Sequence, residues 1–221
     1  EDMAFIEAIQ SVDTDKIAES IEGDSLLVDE EASESVLIQR VRLEEVEEFS
    51  DLIELAMKSS VTVIIDQNQG HGSGVVVSGN GYIVTNEHVT NGAKLIDIQF
   101  SNGITLPADL IVSSEKHDLS LLKVRASGLT ALPIISSSDL AREGEEVYVI
   151  GAPGDMELSQ SVSKGIISAK RNIDGVKFIQ TDTKISPGSS GSPLINNEGE
   201  IIGIINMKLV GEGVEGLSFA I

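Results

Sequence analysis

The feature that most constrains the fold is the alternation of short apolar segments with turn residues from Val61 onward. Clusters of glycine, asparagine and serine interrupt the apolar segments, as at Gly79-Asn80-Gly81 and Ser101-Asn102-Gly103. Short segments rich in valine and isoleucine, bounded by such turns, are typical of antiparallel β-strands. Aromatic residues make up only 3% of the chain, so aliphatic side chains have to fill the core. The pattern predicts an all-β fold.

Twelve candidate strands fall into two sets of six. The first set is Val61–Asp66, Ser73–Ser78, Tyr82–Thr85, Lys94–Phe100, Thr105–Val112 and Leu119–Val124. The second set is Glu146–Ile150, Ser159–Lys170, Lys177–Gln180, Ser192–Asn196, Ile201–Asn206 and Leu217–Ile221. Six strands in each half predict two six-stranded antiparallel barrels, about residues 61–132 and 138–221, joined near Ala131–Leu140. A short helix over residues 51–58 is expected to lead into the first strand.

The N-terminal part of the chain has a different composition. Residues 1–60 hold 18 of the 36 acidic residues but only 4 of the 15 basic ones. Apolar positions in residues 1–23 follow a mostly helical spacing, whereas residues 24–50 mix acids with short apolar clusters. We therefore expect residues 1–50 to form an acidic extension, either partly helical or disordered, ahead of a domain spanning residues 51–221.

Composition excludes several functions. A formal net charge of −21 opposes binding to nucleic-acid phosphates. The chain has no cysteine, which excludes disulfides and cysteine-based zinc sites. No apolar run is long enough to predict a membrane-spanning segment, and no pattern in this chain predicts a signal peptide.

The segment most suggestive of chemistry is Ile185–Leu194, in which Ser190 lies among glycines and small residues. Glycines permit a tight turn that exposes a hydroxyl and directs backbone N–H groups to one point. Ser190 is therefore the candidate nucleophile, and the N–H groups of Gly188, Ser189 and Ser190 are the candidate oxyanion donors. An isolated Gly-Ser-Gly would be an ordinary turn, so the interpretation depends on partners elsewhere in the chain.

Two upstream motifs supply the partners. His88 lies in Thr85-Asn86-Glu87-His88-Val89, and Asp118 precedes an apolar strand. An imidazole can accept a proton from a serine hydroxyl near neutral pH, and a carboxylate can orient that imidazole. The chain order His, Asp, Ser is one of the known orders of the serine-protease triad.

These motifs together resemble the HtrA/Deg branch of the trypsin-like serine proteases. The resemblance rests on Gly81–Val89, Asp118-Leu119 and Pro187–Pro193, and Gly216–Ile221 is similar to the last strand of that protease domain. It covers roughly Asp51 to Ile221 and implies a chymotrypsin-like double barrel with a His-Asp-Ser triad. Three ordered motifs are far more specific than any one of them alone.

Other residues compete for the roles of base and orienting acid. His71 lies in a glycine-rich turn, His117 adjoins Asp118, and Asp109 lies in an apolar segment. Each of these three residues is also compatible with a position at the surface or in a turn that has no catalytic role. The resemblance favours His88 and Asp118, because they occupy the matching motif positions.

The resemblance also indicates where substrate would bind. It implies pocket walls formed by Lys184, Ile185, Ser186, Asn206, Met207, Lys208 and Leu217. Leu217 would make the pocket shallow and apolar, which favours small or medium aliphatic side chains. If Lys184 or Lys208 points inward, an acidic side chain is favoured instead.

The expected function is a serine endopeptidase that acts on unfolded or damaged polypeptides without a metal or organic cofactor. The alternatives are a non-catalytic peptide-binding or chaperone module and a regulatory protease that cuts one partner. Members of this branch often form trimers and carry a PDZ domain after the protease. The resemblance thus leaves open a homotrimer and a PDZ domain beyond residue 221, and it favours an extracytoplasmic location, periplasmic or secreted.

Overall fold

The structure, a computed structural model, describes residues 49–67, 69–137, 140–151, 160–206 and 217–221. Of the expected acidic extension, only Phe49 and Ser50 are among these, so the prediction for that segment lies outside the described residues. The same holds for Met207 and Lys208 of the expected substrate pocket.

The first six strands close into an antiparallel barrel. Their bounds are β1 Ser60–Ile65, β2 Gly70–Val76, β3 Tyr82–Thr85, β4 Ile96–Gln99, β5 Thr105–Ser114 and β6 Leu119–Val124. The strand order is β1-β2-β3-β6-β5-β4, and β4 pairs back onto β1 with Val63 opposite Ile98. Inward-facing side chains such as Val61, Val63, Ile83 and Ile98 have no exposed surface and fill the barrel.

The second six strands form another antiparallel sheet. Their bounds are β7 Glu146–Gly151, β8 Ser161–Ile173, β9 Val176–Thr181, β10 Pro193–Ile195, β11 Ile201–Ile204 and β12 Ser218–Ala220. The order is β11-β10-β7-β8-β9-β12, and backbone hydrogen bonds between Ile204 and Ile221 (2.8 and 2.9 Å) join the two edges. Within the described residues, the prediction of an all-β fold with six strands in each half is confirmed.

The strand boundaries differ most in β2 and β8. Strand β2 begins at Gly70 and ends at Val76, whereas the predicted strand is Ser73–Ser78, so His71 lies in the strand and not in a turn before it.

In the case of β8, the predicted strand ends at Lys170, whereas β8 continues to Ile173 and pairs there with Val176 of β9. The two-residue connection is Asp174-Gly175, a dipeptide typical of tight hairpins. This tight turn sets the register of β8 against β9. Pairing therefore continues through the polar residues Arg171 and Asn172, which follow the apolar stretch.

An apolar cluster separate from the one inside the first barrel packs the two barrels against each other. The first barrel contributes Val75, Val84 and Leu121. The second barrel contributes Tyr148, Ile150, Ile195, Ile201 and Ile204, and the cluster also includes Leu132 from the linker and Ala56. Ala56 belongs to helix α1 (Phe49–Ser59), which slightly exceeds the predicted 51–58. The Phe49 ring lies 4.5 Å from that of Tyr148. Helix α1 therefore covers the junction between the two barrels.

Candidate active site

His88 lies on α2 (Glu87–Thr90), a single helical turn directly after β3. The Thr90 hydroxyl donates to the Glu87 carbonyl at 3.1 Å, which closes this turn. The Asn86 side-chain amide donates to the Asp118 carbonyl at 3.0 Å, so the start of α2 is tied to the segment that precedes β6. The short helix is thereby fixed relative to Asp118.

Asp118 holds both the backbone and the ring of His88. Its Oδ1 accepts the His88 backbone N–H at 2.9 Å, and its Oδ2 lies 2.6 Å from His88 Nδ1. A carboxylate only accepts hydrogen bonds, so Nδ1 carries the proton in this contact. Asp118 has a φ of 49° and is 6% exposed. Such a φ is uncommon for a residue other than glycine and persists only where contacts enforce it.

Ser190 completes the row of hydrogen bonds. Its Oγ lies 3.0 Å from His88 Nε2, which is free to accept because Nδ1 holds the ring proton. His88 and Asp118 come from the first barrel, whereas Ser190 precedes β10 of the second. The arrangement can therefore transfer the serine proton to the imidazole only when the two barrels are packed.

Within the part of the chain that the structure describes, the backbone around Ser190 leaves two N–H groups without an acceptor. Ser189 donates to Ser186, Gly191 to Ile205, and Ser192 to Ser189, at 2.9–3.0 Å. Among the described residues, neither Gly188 nor Ser190 donates its N–H to an acceptor. Two such donors beside a nucleophile can stabilise negative charge that develops on a substrate oxygen.

The turn at Gly188 determines where its N–H points. Gly188 has a φ of 94°, and the Ser189 N–H bonds to the Ser186 carbonyl three residues before it. This is the pattern of a type II turn, whose third residue needs a positive φ. A side chain would be strained here, so glycine allows the N–H to take this direction.

The match to a family model decides the affiliation of the chain. Residues 72–204, more than half of the chain, match the model described as the trypsin-like peptidase domain. The chain belongs to the trypsin-like peptidase family. The prediction of an HtrA-type relationship is confirmed as well, by curated relatives and by solved structures.

Two curated relatives illustrate the relationship of this trypsin-like peptidase chain. It is 46% identical over 158 residues to "Probable periplasmic serine endoprotease DegP-like" of Hahella chejuensis. It is 44% identical over 159 residues to the serine endoprotease DegS of Haemophilus influenzae. The alignments cover 69% and 68% of this chain but 33% and 46% of those relatives, so the chain spans less than half their length.

Comparison with solved structures indicates the same relationship to HtrA-type proteases. The crystal structure of the serine endoprotease from Yersinia pestis has a TM-score of 0.69 and 38% identity, and the match covers 79% of this chain and 62% of that one. The HtrA-type protease AlgW with a tripeptide has a TM-score of 0.69 and 34% identity, covering 79% and 59%. The trypsin-like double-barrel fold of this chain is therefore shared with HtrA-type proteases.

The residues that compete with His88 and Asp118 for the roles of base and orienting acid lie elsewhere in this trypsin-like peptidase domain. His71 is an exposed residue of β2, and Asp109 is exposed on β5 opposite Lys123. His117 Nδ1 lies 3.0 Å from the Ser114 hydroxyl. None of these three side chains takes part in the hydrogen-bonded row that contains Ser190.

The residues expected to line the substrate pocket differ in their exposure and contacts. Lys184 and Ser186 are exposed, Ile185 packs against the core of the second barrel, and Leu217 is half-buried. Asn206 is 2% exposed, and its side-chain amide donates to Asp118 Oδ2 at 2.8 Å. Its side chain therefore supports the carboxylate rather than presenting a free amide to substrate.

Sequence reasoning assigned no role to two further polar residues of the site, Ser73 and Thr85, although Thr85 opens the motif that contains His88. Ser73 donates its N–H to the Ser190 carbonyl at 2.7 Å and its hydroxyl to the Gly188 carbonyl at 2.7 Å. Thr85 donates its hydroxyl to the Ser73 carbonyl at 2.6 Å. Both residues lie in apolar strands, where a small hydroxyl gives no local signal of a role.

The described ranges contain neither a metal-ligand cluster nor a helix suited to spanning a membrane. There, no group of three or more His, Asp or Glu side chains is arranged to hold a metal ion. No helix of that part of the chain combines the length and the apolar character needed to cross a membrane.

Proposed function

We propose that this chain is the protease part of a serine endopeptidase and hydrolyses peptide bonds in polypeptide substrates. The observation that carries the proposal is the row Asp118–His88–Ser190, with contacts of 2.6 and 3.0 Å, beside two unused backbone N–H groups. Nucleophile, base, orienting acid and oxyanion donors are the four parts that acyl transfer by a serine requires.

In the first half of the reaction, Ser190 Oγ attacks the carbonyl carbon while His88 Nε2 takes the hydroxyl proton. The carbonyl oxygen becomes an oxyanion held by the N–H groups of Gly188 and Ser190. Ser189 is not assigned to this role, because its N–H bonds to Ser186. As the C–N bond breaks, His88 gives the proton to the leaving amine, and an acyl-enzyme remains on Ser190.

Water completes the reaction. His88 takes a proton from the water that attacks the acyl carbon, and the second oxyanion uses the same two donors. The C–O bond to Ser190 then breaks, and the proton returns from His88 to the serine oxygen. Throughout, Asp118 keeps Nδ1 protonated and stabilises the imidazolium cation.

We propose unfolded or damaged polypeptides as substrates, and an extracytoplasmic location. Support comes from the HtrA-type relatives, several of which are named as periplasmic. Small or medium aliphatic residues are proposed before the cleaved bond, since Leu217 is apolar and half-buried and Lys184 is exposed. A methylene more or less in such a pocket changes preference by about 1–3 kcal/mol, so specificity should be broad.

The experiment combines covalent labelling with digestion. We expect a fluorophosphonate to form one adduct on Ser190, and the chain to cleave a denatured protein. Ser190→Ala should abolish both, with a loss in turnover on the order of 10⁶. His88→Ala should be similarly impaired, whereas the control His71→Ala changes an exposed histidine outside the row and should retain full activity.

Each alternative has its own outcome. Peptide binding without an adduct or cleavage would identify a non-catalytic module, and cleavage of one partner but no denatured protein would identify a regulatory protease. Sequencing the new ends tests the pocket. Dominant cleavage after Glu or Asp that is lost in Lys184→Ala would contradict the aliphatic preference.

A further inference from the structure

Ser73 connects the first barrel to the nucleophile loop of the second. It lies on β2 and has no exposed surface. Its backbone N–H reaches the Ser190 carbonyl, its hydroxyl reaches the Gly188 carbonyl, and its own carbonyl accepts from Thr85. Thr85 ends β3, directly before the segment that carries His88. One buried serine thus joins the strand leading to the base with the loop that carries the nucleophile.

The peptide between Gly188 and Ser189 is held at both ends. Its carbonyl oxygen accepts from the Ser73 hydroxyl, and its N–H donates to the Ser186 carbonyl at 2.9 Å. The Ser189 hydroxyl also accepts the Ser186 N–H at 3.2 Å. Because a peptide is planar, hydrogen bonds to its C=O and its N–H fix its orientation. With that plane held, only ψ and φ of Gly188 remain to set where the Gly188 N–H points.

We propose that Ser73 is a positioning residue for the oxyanion site, acting through its hydroxyl on the Gly188 carbonyl. The inference rests on the proposed function, since it assigns Ser73 to the same reaction. Glycine has the widest choice of backbone conformations, so an unanchored Gly188 would spread its N–H over many directions. The oxyanion forms only during the reaction, so loss of the anchor acts on turnover more than on substrate binding.

The test compares Ser73→Ala with Ser60→Ala in the full chain. Ser60 lies on the neighbouring strand β1, is equally buried, and donates its hydroxyl to the Ala56 carbonyl at 2.9 Å. Both changes remove a buried hydroxyl bonded to a backbone carbonyl, but only Ser73 contacts the nucleophile loop. Comparison of the two variants separates a general loss of stability from an effect on the oxyanion site.

Two readouts report on the oxyanion site. The first is kcat and KM for a peptide amide. The second is affinity for a peptide boronic acid, whose boron accepts an electron pair from Ser190 Oγ while the hydroxyl proton passes to His88. The resulting tetrahedral adduct places an oxygen where the oxyanion would lie, so its affinity depends on the donors.

We expect Ser73→Ala to lower kcat by about 10- to 100-fold, less than the roughly 10²- to 10³-fold loss that follows outright removal of an oxyanion donor. The KM should stay nearly constant, and boronic acid affinity should fall by a factor similar to that in kcat. Ser60→Ala should leave both readouts unchanged. If Ser73→Ala does not fold, Ser73→Cys takes its place, because a thiol of similar shape is a weak donor.

Two results would overturn the proposal for Ser73. One is an equal kcat for the Ser73 and Ser60 variants, and the other is a defect limited to KM or thermal stability. Failure of the proposed function is recognised separately, because the unmodified chain would then form no boronic acid adduct and cleave no peptide.

Discussion

Asn206 is the residue through which the second barrel reaches the carboxylate of Asp118. Its amide donates to the same Oδ2 that lies 2.6 Å from His88 Nδ1. The carboxylate therefore has a fixed rotamer, with one partner from each barrel on this oxygen. Orientation of an acid by a second polar group is a common way to hold an imidazole in one tautomer.

At the residue scale, we predict that Asn206→Ala lowers kcat by about tenfold, with little change in KM, because Asp118 loses a donor that orients it. Asn206→Asp should be more damaging, since a second carboxyl group would face the first. Steady-state kinetics on one peptide substrate measures both effects. Asn102→Ala serves as the control, because Asn102 is an exposed turn residue. An unchanged kcat in Asn206→Ala would contradict the role given to this contact.

At the scale of elements, one close approach of helix α1 to the second barrel is that of Leu52 to Gly199. Leu52 of α1 is 5% exposed and packs over Gly199, in the turn that joins β10 to β11. A Cβ added to Gly199 would lie 2.3 Å from Leu52 Cδ1 and 3.2 Å from its Cγ. The absence of a side chain at Gly199 thus makes room for the helix over the junction of the barrels.

We predict that Gly199→Ala destabilises the fold by about 1–3 kcal/mol, through overpacking and through its φ of 78°. Leu52→Ala should cost about 2–5 kcal/mol from the cavity it leaves. The double variant should lose less than the sum, because the smaller side chain relieves the contact. Urea unfolding of all three variants measures the free energies.

The matched control for this prediction is Gly103→Ala. Gly103 has a similar φ of 82°, but an added Cβ would meet no atom within 4 Å. It therefore reports backbone strain without overpacking. If Gly103→Ala were as destabilising as Gly199→Ala, the approach of Leu52 would not be the cause.

At the scale of the whole molecule, we expect the net charge to influence how charged polypeptides approach the proposed protease. The formal net charge is −21, and half of the acids lie within residues 1–60. A field of one sign attracts oppositely charged partners from a distance and raises their association rate. Added salt screens this field, because the Debye length falls from about 30 Å at 0.01 M to about 10 Å at 0.1 M.

We predict that kcat/KM for a basic denatured protein falls by about tenfold as salt rises from low to physiological strength. The same protein with its lysines succinylated should show the opposite trend, because its negative charge is repelled most at low salt. A short neutral peptide is the control and should show no salt dependence. Parallel salt curves for all three substrates would exclude steering by the net charge.

The sequence by itself determined the architecture and the identity of the candidate side chains. Twelve apolar segments between turn residues predict two sets of six strands, and both sets are present. Periodicity and turn chemistry act over a few residues, so they can be read locally. The extension of β8 to Ile173 was missed because its last residues carry no apolar alternation. The motifs around His88, Asp118 and Ser190 are local in the same sense.

Only the tertiary structure decided how those side chains are supported. The contact from Asn206 to Asp118 spans 88 residues of chain, and that from Ser73 to Gly188 spans 115. Which N–H groups remain unused around Ser190 likewise depends in part on the Ile205 carbonyl, which accepts the Gly191 N–H. Such contacts depend on strand register and on the packing of the barrels, and a hydroxyl or amide in an apolar strand carries no local signal of its distant partner.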